Sequence, residues 1–182
     1  MDHSRYPDSY IHNILLRTKT IAMVGASANT IRPSYFVLKY MLAKGFNVIP
    51  VNPGLAGQQL LGQLVVGSLF DITQPVDMVD IFRNSEAADG ITDQAIEMKA
   101  SIVWMQLGVA NADAAGRAET AGLDVVMNRC PKIEYARLSG EIAWAGVNSG
   151  KLSSQKPKLA GKGFQHLTLR SQRNPINQDK KS

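Results

Sequence analysis

The chain has 182 residues, with 20 basic and 15 acidic side chains, 45% hydrophobic residues and one cysteine. That fits one domain with its own core and excludes a wholly disordered protein. No run reaches the ~18 apolar residues of a membrane span, no charged-then-apolar leader opens the chain, and Cys130 with three scattered histidines makes neither a disulfide framework nor a zinc site. The expectation is a soluble, cytoplasmic α/β domain.

Taken in chain order, a leading helix is expected over residues 9–17. Residues 20–25 read as a strand buried on both faces, followed by a helix over 34–44 that Gly45 ends. A second strand covers 47–52, a short extra strand 65–66, and another strand 76–82. Ser85 is the expected cap of a helix over 86–99, with Glu86 in its first turn. A strand at 102–105, a helix at 112–121 closed by Gly122, a strand at 124–127 and a helix at 131–138 complete the body. Continuous β-branched runs separated by helical patterns predict a Rossmann-like, doubly wound parallel sheet of about five strands.

Composition changes near residue 150. Ser149, Gly150, Ser153, Ser154, Pro157 and Gly161 are linker chemistry, so residues 1–150 are expected to form the domain and 151–182 an extended basic tail. Residues 1–150 carry 12 basic and 14 acidic side chains, whereas 151–182 carry 8 basic and 1 acidic. The net charge of +5 therefore belongs to the tail, which argues against a nucleic-acid partner for the body. An apolar island at 164–169 is placed to dock on the body or on another subunit, leaving a homo-oligomer or a protein partner through the tail open.

In a doubly wound sheet, ligands bind outside the carboxyl ends of the strands. The first such end reads Gly25-Ala26-Ser27, with Arg32-Pro33-Ser34 opening the next helix. Glycine admits a close ligand, the helix start offers free N–H groups, and Arg32 can grip phosphate oxygens. The second ends in Val51-Asn52-Pro53, lacking the carboxylate that an NAD ribose requires. Phe82-Arg83, Met105-Gln106 and Asn128-Arg129-Cys130 close the later strands. Four polar or cationic ends (Arg83, Gln106, Asn128 and Arg129) converging on one rim point to a binding crevice. Trp104 and Phe82 are expected in the core.

Catalytic sets are harder to find. His3, His12 and His166 lie outside the strand ends, and Asp71, Asp77 and Asp80 read as structural or solvated. Cys130 precedes Pro131 at a helix start beside Arg129, an arrangement expected to lower its pKa and make it a candidate reactive thiol, although a small buried residue is the commoner role of a lone cysteine.

Together Gly25-Ala26-Ser27, Val51-Asn52-Pro53, the run 76–86, Trp104-Met105-Gln106-Leu107-Gly108 and Asn128-Arg129-Cys130-Pro131 resemble the small single-domain CoA-binding proteins. That family is related to the N-terminal CoA-binding domain of the succinyl-CoA synthetase alpha subunit, and the likeness spans about residues 9–150. It implies that Gly25, Ala26 and Ser27 meet the phosphates of coenzyme A. Val51, Asn52 and Pro53 would line the adenine side, with Phe82, Arg83, Met105 and Gln106 flanking the groove. The loop of Asn128, Arg129 and Cys130 resembles the synthetase's Asn-Cys-Pro loop, towards the thiol. Where the synthetase relatives carry a lysine after the Pro-Gly turn, this chain has Leu55-Ala56. Phosphate neutralisation would fall to Arg32, Arg83 or Arg129. With no second, histidine-phosphorylated domain, the resemblance implies binding of CoA or acyl-CoA, as carrier, sensor or regulatory module, ahead of catalysis. The alternatives are an NAD(P)-dependent oxidoreductase on the same fold and a thiol-active protein using Cys130.

Overall fold

The computed structural model describes residues 1–141 and Leu169. The first half runs α1 (Asp8–Arg17), β1 (Thr20–Val24), α2 (Pro33–Ala43) and β2 (Asn47–Val51), then the short strands β3 (Gln59–Leu60) and β4 (Gln63–Leu64). The second half runs β5 (Met78–Ile81), α3 (Ala87–Glu97), β6 (Ile102–Met105), α4 (Ala112–Thr120), β7 (Asp124–Val126) and α5 (Pro131–Ser139). Five strands form one sheet in the order β2-β1-β5-β6-β7, every neighbouring pair parallel. The fold is the Rossmann-like α/β sheet with a leading helix.

The continuous apolar runs arise because each strand buries both of its faces. Ile21, Met23, Met78, Ile102 and Trp104 pack on one side with Ile11, Ile14 and Leu15 of α1, Val37, Leu38 and Met41 of α2, and Tyr135 of α5. Ala22, Val79, Ile81, Val103 and Met105 alternate with them and face the alanines of α3 and α4 on the other side. Trp104 is fully buried, and Phe82 packs partly buried against the first cluster.

Two local expectations change. Residues 65–66 do not form a strand: Val66 joins Val51 through a single parallel bridge, and the neighbouring antiparallel hairpin β3–β4 carries the pairing. Its turn places Leu61 and Gly62 at φ 51° and 81°. Ser85 does not cap α3 either. Its Oγ accepts the Ala110 N–H at 3.0 Å from a neighbouring loop, and Asn84 Oδ1 takes the Ala87 N–H at 3.0 Å instead.

One edge of the sheet is β7, a short strand whose unpaired backbone would otherwise invite another chain. Tyr10 of α1 covers it. Its hydroxyl donates to the Val125 carbonyl and accepts the Val125 N–H, both at 3.2 Å. Arg17 adds an ion pair to Asp124.

The tail expected over 151–182 lies outside the described residues, apart from Leu169. That residue donates its N–H to the Tyr135 hydroxyl at 3.3 Å and packs against the first core cluster. Among the described residues, no helix is long and apolar enough to cross a membrane, and no group of three or more metal-ligating side chains gathers.

Candidate functional site at the carboxyl ends of the strands

Strand order reverses between β1 and β5, since the chain leaves β1 towards β2 on one side and later returns to β5 on the other. Open α/β sheets bind their ligands at such a switch point, outside the carboxyl ends of the strands. Gly25 sits there with φ 89°. A Cβ at this position would lie 2.4 Å from the Phe82 carbonyl oxygen and 3.1 Å from Arg83 Cδ. Only glycine meets both the torsion and the approach. The ends of β1, β2 and β5 are also tied together: Gly25 N–H reaches Val51 O at 3.0 Å, and Phe82 N–H reaches Val24 O at 2.8 Å.

Around Gly25, Ala26 is buried and its carbonyl accepts the Asn52 side-chain amide at 2.7 Å. Asn52 Oδ1 accepts the Gly54 N–H at 2.8 Å, which forms the turn after Pro53. Both ends of the Asn52 side chain are thus committed to backbone. Ser27 Oγ accepts the Asn29 N–H at 3.2 Å, and Asn29 Oδ1 accepts the Ile31 N–H at 3.0 Å. These turns deliver the chain to Arg32, which precedes α2 in extended conformation with Pro33 as the first helical residue. No side chain caps α2 among the described residues. Ser34 and Val51 are buried and shape the wall from behind.

The β6 and β7 ends form a second joined group. Asn128 adopts φ 52°, its Oδ1 accepts the Gly108 N–H at 2.8 Å, and its own N–H reaches Val109 O at 3.0 Å. Arg129 donates its N–H to Met105 O at 3.3 Å, and its carbonyl accepts Trp104 Nε1–H at 2.7 Å. The fold therefore gathers Gly25, Ala26, Asn52, Phe82 and Arg83 at the β1, β2 and β5 ends, and Gly108, Asn128 and Arg129 at the β6 and β7 ends.

Three expectations about side chains are corrected. Met105 is fully buried among the side chains facing α3 and α4. Gln106 turns its amide inward, donating to both oxygens of Asp80 at 3.0 and 3.2 Å. Neither side chain opens onto the groove. Asp80, read as structural or solvated, is fully buried in the central strand, and desolvation raises its pKa to about 8. Its signal in the sequence is a lone carboxylate inside an apolar strand.

Cys130 is the third. It is buried where the chain enters α5, and loss of water pushes its thiol pKa up, against the opposing pull of the Ile133 and Lys132 N–H groups. Arg129 does not supply a nearby free charge, because its guanidinium lies 5.6 Å from the Tyr6 ring centre and 3.8 Å from Glu134. Cys130 is thus expected to react with a thiol reagent on the order of a hundredfold more slowly in the folded protein than in urea. Equal rates in the two states would show an open thiol.

These features define a Rossmann-like α/β domain whose candidate site is the crevice at its switch point. A family model described as the CoA binding domain matches residues 19–136, and the chain belongs to that family. The uncharacterized protein YneT of Bacillus subtilis (strain 168) is 38% identical over 126 residues, covering 69% of this chain and 92% of the relative. A hypothetical protein from Pyrococcus horikoshii OT3 is similar in structure, with a TM-score of 0.70 at 37% identity over 76% of this chain and 99% of that one. A Thermus thermophilus protein gives a TM-score of 0.69 at 33% identity over 72% and 98% of the two chains.

Proposed function

We propose that the crevice binds coenzyme A, free or acylated, and that the protein acts as a carrier, sensor or regulatory module for it. Membership of the CoA-binding domain family supports the ligand. The observation that carries the reading is Gly25 pressed against the Phe82 carbonyl at the switch point, with the Arg83 side chain beside it. Ala26 and Ser27 offer backbone to a phosphate there, and Asn52 with Pro53 forms a wall suited to a flat ring.

The arginines divide by their surroundings. Arg129 is occupied by Tyr6 and Glu134, whereas Arg32 and Arg83 are exposed and have no ion-pair partner among the described residues. Arg32 and Arg83 are therefore assigned to the phosphates. The reading also disfavours NAD: where a ribose-binding carboxylate would stand, the Asn52 amide is spent on Ala26 and Gly54.

Calorimetry with CoA, dephospho-CoA, NAD and NADP tests the ligand. CoA is expected to bind tightest, and tighter binding of either dinucleotide would overturn the reading. Arg32→Ala and Arg83→Ala are each expected to weaken CoA by roughly 10–100-fold, the worth of a charge-assisted phosphate contact. The exposed Arg117, which pairs with Asp89 and Asp93, supplies a control whose replacement leaves affinity unchanged. Wild-type affinity in both crevice variants would remove the arginines from the site.

A further inference from the structure

We infer that the N-terminal segment, residues 1–10, clamps the loop 127–131, and that Tyr6 is the positioning residue that holds this side of the crevice in shape. The inference rests on the reading of the crevice as a CoA site.

The loop begins where β7 runs out, so its first N–H groups have no ladder partner. Asn128 and Arg129 find carbonyls of the β6 end, Val109 O and Met105 O. Met127 does not. Its N–H is taken instead by the Tyr6 hydroxyl at 2.7 Å, across 121 residues of sequence. Tyr6 is itself buried. Its ring has the Arg129 guanidinium 5.6 Å above one side and stacks on Tyr10, with centres 5.9 Å apart and planes 8° from parallel. One side chain therefore holds the backbone of Met127 and the side chain of Arg129.

Tyr6 is anchored in turn. Its hydroxyl lies 2.8 Å from His3 Nδ1, and His3 Nε2 lies 3.4 Å from a carboxylate oxygen of Glu119 in α4. The amino terminus reaches both Glu119 oxygens at 3.1 Å. A single proton arrangement satisfies both hydrogen bonds at the hydroxyl, Met127 N–H to Tyr6 Oη and Tyr6 O–H to His3 Nδ1, and leaves His3 Nε2 facing the Glu119 carboxylate. The arm thus ties the loop to α4. Asn128, held at φ 52° within that loop, accepts the Gly108 N–H, so the clamp reaches the β6 end as well. A loop held before the ligand arrives loses less freedom on binding, which is how residues that never touch CoA raise its affinity.

Tyr10 provides the contrast. It also bonds sheet backbone, but at Val125, inside the strand rather than in the loop. The test compares Tyr6→Phe with Tyr10→Phe in the full chain by three measurements. Ligand-free amide exchange at Met127 is the first, and CoA affinity by calorimetry is the second. The third is Trp104 emission in a Trp144→Phe background, which leaves one indole, bonded to the Arg129 carbonyl.

Tyr6→Phe is expected to speed Met127 exchange and weaken CoA by roughly tenfold each, with a shift in Trp104 emission. Tyr10→Phe should lower Tm and leave the other readouts as in wild type. Unchanged exchange and emission in Tyr6→Phe would overturn the clamp. Faster exchange with wild-type CoA affinity would overturn the positioning role, and equal effects from both variants would reduce it to general stability. Should the wild-type protein fail to bind CoA, the site reading falls and the positioning role with it, while the exchange data still decide whether the arm clamps the loop.

Discussion

Gly25→Ala is expected to lower Tm by about 4–20 °C and to abolish measurable CoA binding. Two effects add. A non-glycine residue held at φ 89° carries about 1–2 kcal/mol of backbone strain. The new Cβ would also lie 2.4 Å from the Phe82 carbonyl oxygen, and both groups belong to backbone, so neither can rotate away. The ends of β1 and β5 must separate, at a further cost of about 1–3 kcal/mol typical of overpacking. For a chain of this size each kcal/mol moves Tm by about 2–4 °C. Gly62→Ala is the matched control, since Gly62 has φ 81° but no neighbouring atom within 4 Å of its added Cβ. It should show the strain alone and keep CoA binding. Equal Tm losses for the two variants would refute the close approach at the crevice.

The second large effect is a loss of stability as pH rises. Asp80 is fully buried, and its pKa moves from the ordinary 3.8 to about 8 because desolvation outweighs the hydrogen bonds from Gln106. Between those two values the folded chain holds a proton that the unfolded chain has released. Stability from this group is therefore complete below the unfolded pKa and is lost as pH rises through the folded one, at up to about 1.4 kcal/mol per pH unit. Urea unfolding is expected to report about 2 kcal/mol less stability at pH 8 than at pH 6. Asp80→Asn keeps one acceptor for the Gln106 amide and removes the charge, so its stability should be nearly flat across that window and exceed wild type at pH 9. Parallel losses in both proteins would show that Asp80 is not the source. The thiol of Cys130, also raised by burial, acts in the same direction only at higher pH.

The elements and the strand ends were legible in the sequence because their signals are local. Residues 20–25 and 102–105 are apolar at every position because neighbouring side chains go to opposite, equally buried faces, which no partner needs to reveal. Gly45 and Gly122 mark the ends of α2 and α4 by their own positive φ. The strand-end residues were found for the same reason: a polar group or a glycine after an apolar run announces where the strand stops. The expected helices differ from the observed ones by only one or two residues at each end.

The roles that the sequence did not show share a different cause. Asp80 and Gln106 are 26 positions apart and meet only because β5 and β6 pair in a register that sets Asp80 beside Trp104. Tyr6 and Met127 are 121 apart and meet only because α1 packs along the edge of β7. Cys130 has the neighbours that would favour a thiolate, yet burial under the helices decides its chemistry. The sequence by itself determined the sheet, its two buried faces and where its strands end, since propensity and periodicity act between near neighbours. Only the tertiary structure decided which arginines are paired, which carboxylate keeps its proton and what holds the loop, because desolvation and hydrogen-bond partnership depend on groups that the chain brings together from a distance.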